Sequence, residues 1–113
     1  MSWRKSSCKL TAALFLALSA VSCQKKDAAG SDPARRGHTL YAIHCASCHS
    51  PDPSRDGALG PALKGSSLDL IRVKVQRGEY PPGYVPKRAT KIMQKLPLSD
   101  ADLAAIHAFL NSP

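Results

Sequence analysis

The chain has 113 residues, with 16 Lys and Arg against 8 Asp and Glu, so its formal charge is +8 at pH 7. That length supports one small domain at most. The basic balance favours an acidic partner, anionic lipid or nucleic acid, but no basic stripe interleaved with aromatic residues is present to read a nucleic acid.

Residues 1–22 have the order of an export signal. Arg4, Lys5 and Lys9 give a positive start, and Leu10 to Ser22 is a run of 13 residues without a charge. Such a run is too short to cross a bilayer as a helix and fits the apolar core of a signal peptide. It ends Ser19-Ala20-Val21-Ser22-Cys23, which resembles the lipobox of a bacterial lipoprotein. The resemblance implies that Cys23 becomes the first mature residue and is acylated, and Gln24 after it points to the outer membrane where a host has one. Cleavage by the ordinary signal peptidase, giving a soluble periplasmic protein, is the alternative. From Cys23 onward 13 basic residues face 8 acidic ones, a balance of +5.

Residues 24–36 hold no large apolar side chain and read as a flexible tether following the lipidated Cys23. The folded domain is expected over residues 37–113. A core alone is marginal at that size, so a cofactor that staples the chain is expected. Three helices are legible. The first runs from Pro33 or Gly37 into Cys48, with Leu40, Ile43 and His44 at helical spacing. The second runs from Ser67 to Arg77, with Ser66 or Ser67 as cap, Gly78 as terminator and Leu68, Ile71 and Val75 as its apolar stripe. The third follows the Ser99 cap, with Asp100 and Asp102 in its first turn and Leu103, Ile106, His107 and Leu110 on one face. Proline- and glycine-rich loops, Pro51 to Gly65 and Gly78 to about Pro97, separate them. The pattern is all-α, with long loops suited to wrapping a cofactor.

Cys45-Ala46-Ser47-Cys48-His49 has the Cys-x-x-Cys-His spacing of covalent c-type haem attachment. Residues three apart on a helix share a face, so both thiols can reach one edge of a porphyrin, and His49 follows on that face as a ligand to iron. A zinc site, a redox-active dithiol and a plain disulfide compete. Zinc would have to close its shell with His38 or His107, and a thioredoxin-like pair would need a βαβ setting that is absent.

Over Gly37 to Asn111 the chain resembles class I cytochrome c. The matching residues are Gly37, Leu40 and Tyr41; Cys45, Cys48 and His49; Gly60-Pro61-Ala62-Leu63; Ile71, Val75 and Gly78; Met93; and Leu98 to Leu103 leading into Phe109-Leu110. The resemblance implies a small all-α fold around one haem, with Gly37 where the first and last helices cross near Phe109. It also implies that the Pro61 carbonyl accepts a hydrogen bond from His49 Nδ1. It places the sixth iron ligand at Met93, 44 residues after His49 and the only methionine after Cys23. The family often has proline directly after this methionine, where this chain has Gln94. His38, His44 and His107 are the alternatives, and Lys91 or Lys95 would serve only when deprotonated.

With both axial positions filled, the expected role is single-electron transfer rather than catalysis, and no nucleophile or acid–base constellation accompanies the motif. A haem subunit fixed in a larger oxidoreductase and a haem sensor are the other readings. Between Glu79 and Asp100 there are four bases, Lys87, Arg88, Lys91 and Lys95, and no acid. They form a candidate docking patch for acidic redox partners, or alternatively a solvated loop. Tyr80, Tyr84 and Arg88 are candidates to bond the haem propionates.

Overall fold

The computed structural model describes residues 32–113. The export signal, Cys23 and most of the tether lie outside them. The described chain is helical, in the order α1 (Pro33–His44), α2 (Ala46–His49), α3 (Leu68–Arg72), a wider π-helical turn (Val73–Arg77) and α4 (Asp100–Leu110), with no strand among the described residues. None of these helices is long and apolar enough to cross a membrane.

Helix α1 starts at Pro33 because Asp32 caps it, its side chain accepting from Ala34 N at 3.0 Å, and because proline at the first position wastes no donor. Pro33 to Arg36, assigned to the tether on composition, are therefore helical. Their lack of apolar side chains is offset by the cap and by a bond from Arg36 to Asp102 on α4. The first helix also does not run unbroken into Cys48. Cys45 leaves helical geometry at φ −120° and ψ −39°, and α2 is a separate turn. Long-range bonds hold that turn. The Tyr41 hydroxyl donates to Ser50 O at 2.7 Å, and the Cys48 carbonyl accepts from Leu59 N and Gly60 N. Ser50, the residue after the motif, adopts φ 76° and ψ 142°, a left-handed conformation that costs a side-chain-bearing residue about 1–3 kcal/mol.

The second helix keeps its expected limits. Ser67 caps α3 by accepting from Leu70 N, and Gly78 ends the following turn at φ 76°. Ser99 and Asp102 form a reciprocal capping box at the start of α4.

Helices α1 and α4 cross at Gly37. A Cβ there would lie 1.9 Å from Ala105 O and 2.9 Å from Phe109 Cβ, so only glycine lets the backbones approach. The contact expected with Phe109 is present, and Ala105 is closer. Around this crossing Tyr41, Cys45, Ile71, Val75, Leu103, Ile106 and Leu110 form one buried cluster. Each large apolar side chain so buried contributes about 1.5–3 kcal/mol. The loop after α2 is tied to α4 through Gly65 N to Leu110 O and Asn111 Nδ2 to Ser66 O, both 3.0 Å.

Candidate functional site

The core cluster is open on one side, where a cleft of about 420 Å³ is lined by side chains from α1, α2, α3, α4 and both loops. Cys45, Cys48, His49, Pro61 and Met93, spread over nearly fifty positions of sequence, all line it. The rest of the lining is chiefly apolar, including Leu63, Leu70, Ile71, Val75, Ile106 and Leu110. A cleft of this size with few polar groups suits a large apolar ligand.

His49 is buried at 7 % exposure, and its Nδ1 lies 2.8 Å from Pro61 O. A carbonyl only accepts, so Nδ1 carries the hydrogen and the lone pair of the neutral ring is on Nε2. Gly60 backs the ring closely, for a Cβ there would lie 2.4 Å from His49 Cε1 and Nδ1. Gly57 has the same function toward the preceding turn, where a Cβ would meet Cys48 O at 2.1 Å. The two glycines let the loop fold flat against the motif, a role that their places in a proline- and glycine-rich stretch did not reveal.

Cys45 and Cys48 are both free thiols; Cys45 is buried and Cys48 half-buried. Although α1 breaks at Cys45, the i, i+3 relation survives, because Cys48 N and His49 N both donate to Cys45 O, at 3.2 and 3.0 Å. Burial, and then the neighbouring Cys48, push the Cys45 thiol up to about 11, so it is protonated at neutral pH. Burial likewise pushes the Tyr41 hydroxyl up to about 12, helped by Cys45 and Asp52. That keeps the hydroxyl a donor to Ser50 O throughout the physiological range.

Met93 is half-buried, lies in a stretch without regular secondary structure and packs against the core cluster. Of the alternative ligands, His44 lines the cleft. It closes α1 and is separated from His49 by the break at Cys45. His38 packs edge-on to Phe109 at 5.0 Å, and neither it nor the half-buried His107 lines the cleft.

Tyr80, Tyr84, Lys74, Lys87 and Arg88 also line the cleft. The two tyrosine rings stack at 5.4 Å, and Lys74 Nζ sits 4.0 Å from the Tyr80 ring centre. The four bases of the docking patch divide into two pairs. Lys87 Nζ donates to Ala62 O at 2.8 Å, and Arg88 donates to Gly57 O at 3.2 Å and pairs with Asp56. These two join the loops, and Lys91 and Lys95 are exposed. Asp56 is the organising group: it also accepts from Ala62 N at 2.7 Å, and that bond, then Arg88 and Lys87, hold its carboxyl below the usual range.

These residues fit a covalently held haem. Two thiols, one buried imidazole with Nε2 as its remaining donor atom and one thioether meet in a single apolar cleft. Cationic and phenolic groups that suit carboxylates line the same cleft. A family model for cytochrome c matches residues 34–113. No curated protein matches the chain.

Proposed function

The chain belongs to the cytochrome c family, and from that premise we propose that it is an electron carrier whose haem is attached at Cys45 and Cys48 and ligated by His49 and Met93. The family's cofactor is covalent haem c, and when bound it supplies a one-electron iron couple. The observation that carries the reading is the convergence of Cys45, Cys48, His49 and Met93 on one apolar cleft, with His49 Nδ1 committed to Pro61 O.

Each residue then has a task. The thiols of Cys45 and Cys48 would hold the haem covalently as thioethers and fix it to the turn after α1. Pro61 holds the imidazole with Nε2 forward and raises its basicity. Met93 sulfur would be the second protein ligand to the iron and would favour the ferrous state more than a second imidazole. Leu70, Ile71, Val75 and Ile106 line the cleft and would keep water from the cofactor, so little solvent would have to reorganise when its charge changes. The amphipathic groups Tyr80, Tyr84 and Arg88 suit the propionates.

The carrier acts outside the cytoplasm, on the periplasmic side of a membrane. It is anchored by acyl chains on Cys23, and the tether keeps it concentrated near its partners. Those partners present acidic faces, steered by Lys91 and Lys95 and, through their remaining charge, by Lys87 and Arg88. A second reading, a haem subunit fixed in a larger oxidoreductase, is favoured by Ile43 and Val85. Neither lines the cleft, they are 66 % and 83 % exposed, and a permanent partner would cover them. Stoichiometric co-purification of a second redox protein distinguishes it from a free carrier.

The direct test is a visible spectrum with a pyridine haemochrome assay on protein matured in an exporting host. Thioether-type haem is expected in the wild type, with holoprotein reduced or absent in Cys45→Ala and Cys48→Ala. Normal haem loading of the double variant overturns the attachment. Mass spectrometry of the mature N-terminus tests the anchor separately: an unmodified N-terminus removes the lipid and leaves the cytochrome.

A further inference from the structure

We propose that Gln76 is a positioning residue for Met93, setting how firmly the methionine sulfur is presented to the cleft; this rests on the reading of Met93 as an axial ligand. Among the described residues none of 89–95 takes part in a hydrogen bond, so this stretch is located by what holds its two ends. The leading end is held by Lys87 and Arg88 through Ala62 O and Gly57 O. The trailing end is stitched to the π-helical turn. Leu96 N donates to Val75 O at 2.9 Å, satisfying a carbonyl in the last turn of the helix, where no following turn can supply a donor. Gln76 Nε2 then donates to Leu98 O at 3.1 Å and to Asp100 Oδ1 at 3.0 Å.

The chemistry of that amide is specific. Both of its partners are acceptors, so the nitrogen and not the oxygen must face them, and one donor group bridges the chain after Met93 to the first turn of α4. Arg72 reaches Asp100 Oδ1 only at 3.7 Å and cannot contact Leu98 in its place through any hydrogen bond the structure contains. The wide turn carrying Gln76 is a form found mostly as short insertions in helices, often at functional sites. Here it delivers a backbone acceptor at Val75 and a side-chain donor at Gln76 to the same strip of chain. Met93 leaves the cleft by swinging the 89–95 stretch outward, and the trailing attachment opposes that motion.

The experiment uses ferric holoprotein and imidazole, which competes with Met93 for iron, followed by loss of the near-infrared sulfur-to-iron band. Gln76→Glu has the same shape but sets a carboxylate against two acceptors, whereas Gln76→Lys keeps a donor. Gln76→Ala removes the group outright. Ser67→Ala removes the cap at the far end of the same helix and lowers stability without touching the 89–95 stretch. Gln76→Glu and Gln76→Ala are expected to bind imidazole about threefold to tenfold more tightly than wild type, with Gln76→Lys close to wild type. Ser67→Ala should melt at lower temperature with imidazole affinity unchanged. Unchanged affinity in both Gln76→Glu and Gln76→Ala overturns the positioning role. So does an equal shift in Gln76→Lys or in Ser67→Ala. Absence of the band in wild type, or its persistence in Met93→Ala, overturns the ligand assignment itself, an outcome separate from the others.

Discussion

His49 is buried, bonded to a proline carbonyl, backed by a glycine and carried on a turn whose own carbonyl receives two backbone donors. Met93 is half-buried in an irregular stretch that makes no hydrogen bond of its own. The first side of the cleft is over-determined by local contacts and the second is suspended between attachments at Arg88 and Leu96. For the proposed electron carrier the asymmetry would be useful. Under the proposed ligation the cofactor would stay fixed through the His49 side, and the Met93 side would set potential and ligand exchange, which could be tuned without unfolding the domain.

The largest expected break comes from Gly60→Val. A Cβ placed 2.4 Å from the His49 ring forces the imidazole or the loop to move, at an overpacking cost of about 1–3 kcal/mol or more. Haem content per protein, read by pyridine haemochrome, should fall severalfold together with the melting temperature. Undiminished content would mean that the ring has room and the His49 side is not over-determined.

Met93→Ala should do the opposite: the fold survives and the ligand goes. The side chain is half-buried, so about 1–2 kcal/mol of stability is lost, below the range for a fully buried methionine. Carbon monoxide should then bind the ferrous protein readily, while wild type resists it. Met93→His should keep six-coordination with a lower reduction potential. A spectrum and potential unchanged in Met93→Ala would move the sixth ligand elsewhere.

Ser50→Gly relieves the left-handed backbone directly after His49 and should raise stability by about 1 kcal/mol, measured by denaturant unfolding. A loss instead would show that the Ser50 hydroxyl, which accepts from Asp52 N at 3.3 Å, outweighs the strain.

The smallest effect is expected at Asp102, on the α1–α4 crossing. Its hydrogen bonds with Ser99, then the nearby charges of Arg36 and His44, hold its carboxyl below the usual carboxylate range. A carboxylate depressed in the folded state stabilises fully above its ordinary pKa, and that contribution fades as pH falls through the lowered value. Asp102→Asn should therefore flatten the decline of stability below about pH 4, with haem spectrum and carbon monoxide resistance intact. A changed near-infrared band in this variant would couple the crossing to the Met93 side and weaken the contrast.

How much of this was legible depended on the range of the interaction. Caps and stops are local: Ser67, Ser99 with Asp102, and Gly78 announce helix limits because the groups they satisfy lie within four residues. The Cys-x-x-Cys-His spacing is local too. The break at Cys45 was not legible, since it depends on Tyr41 reaching Ser50 and on Leu59 and Gly60 reaching Cys48. The sequence left the first helix starting at Pro33 or Gly37, and the choice of Pro33 depends in part on Arg36 reaching a partner 66 positions away. Gln76 reads as an ordinary polar residue on an exposed helix face until Leu98 and Asp100 are placed beside it.

The glycine at the α1–α4 crossing has a consequence for the order of events as the polypeptide is made. Arg36 and Asp102, which meet beside it, are 66 positions apart, and closing so long a loop carries an entropic cost that neither helix offsets alone. A nascent chain emerging amino end first holds Tyr41 and Cys45 without their burial partners until Leu103 to Leu110 have been synthesised. The thiols therefore remain accessible through most of translation, and the last helix acts as a late latch that closes the interior around whatever has already been joined to the turn after α1.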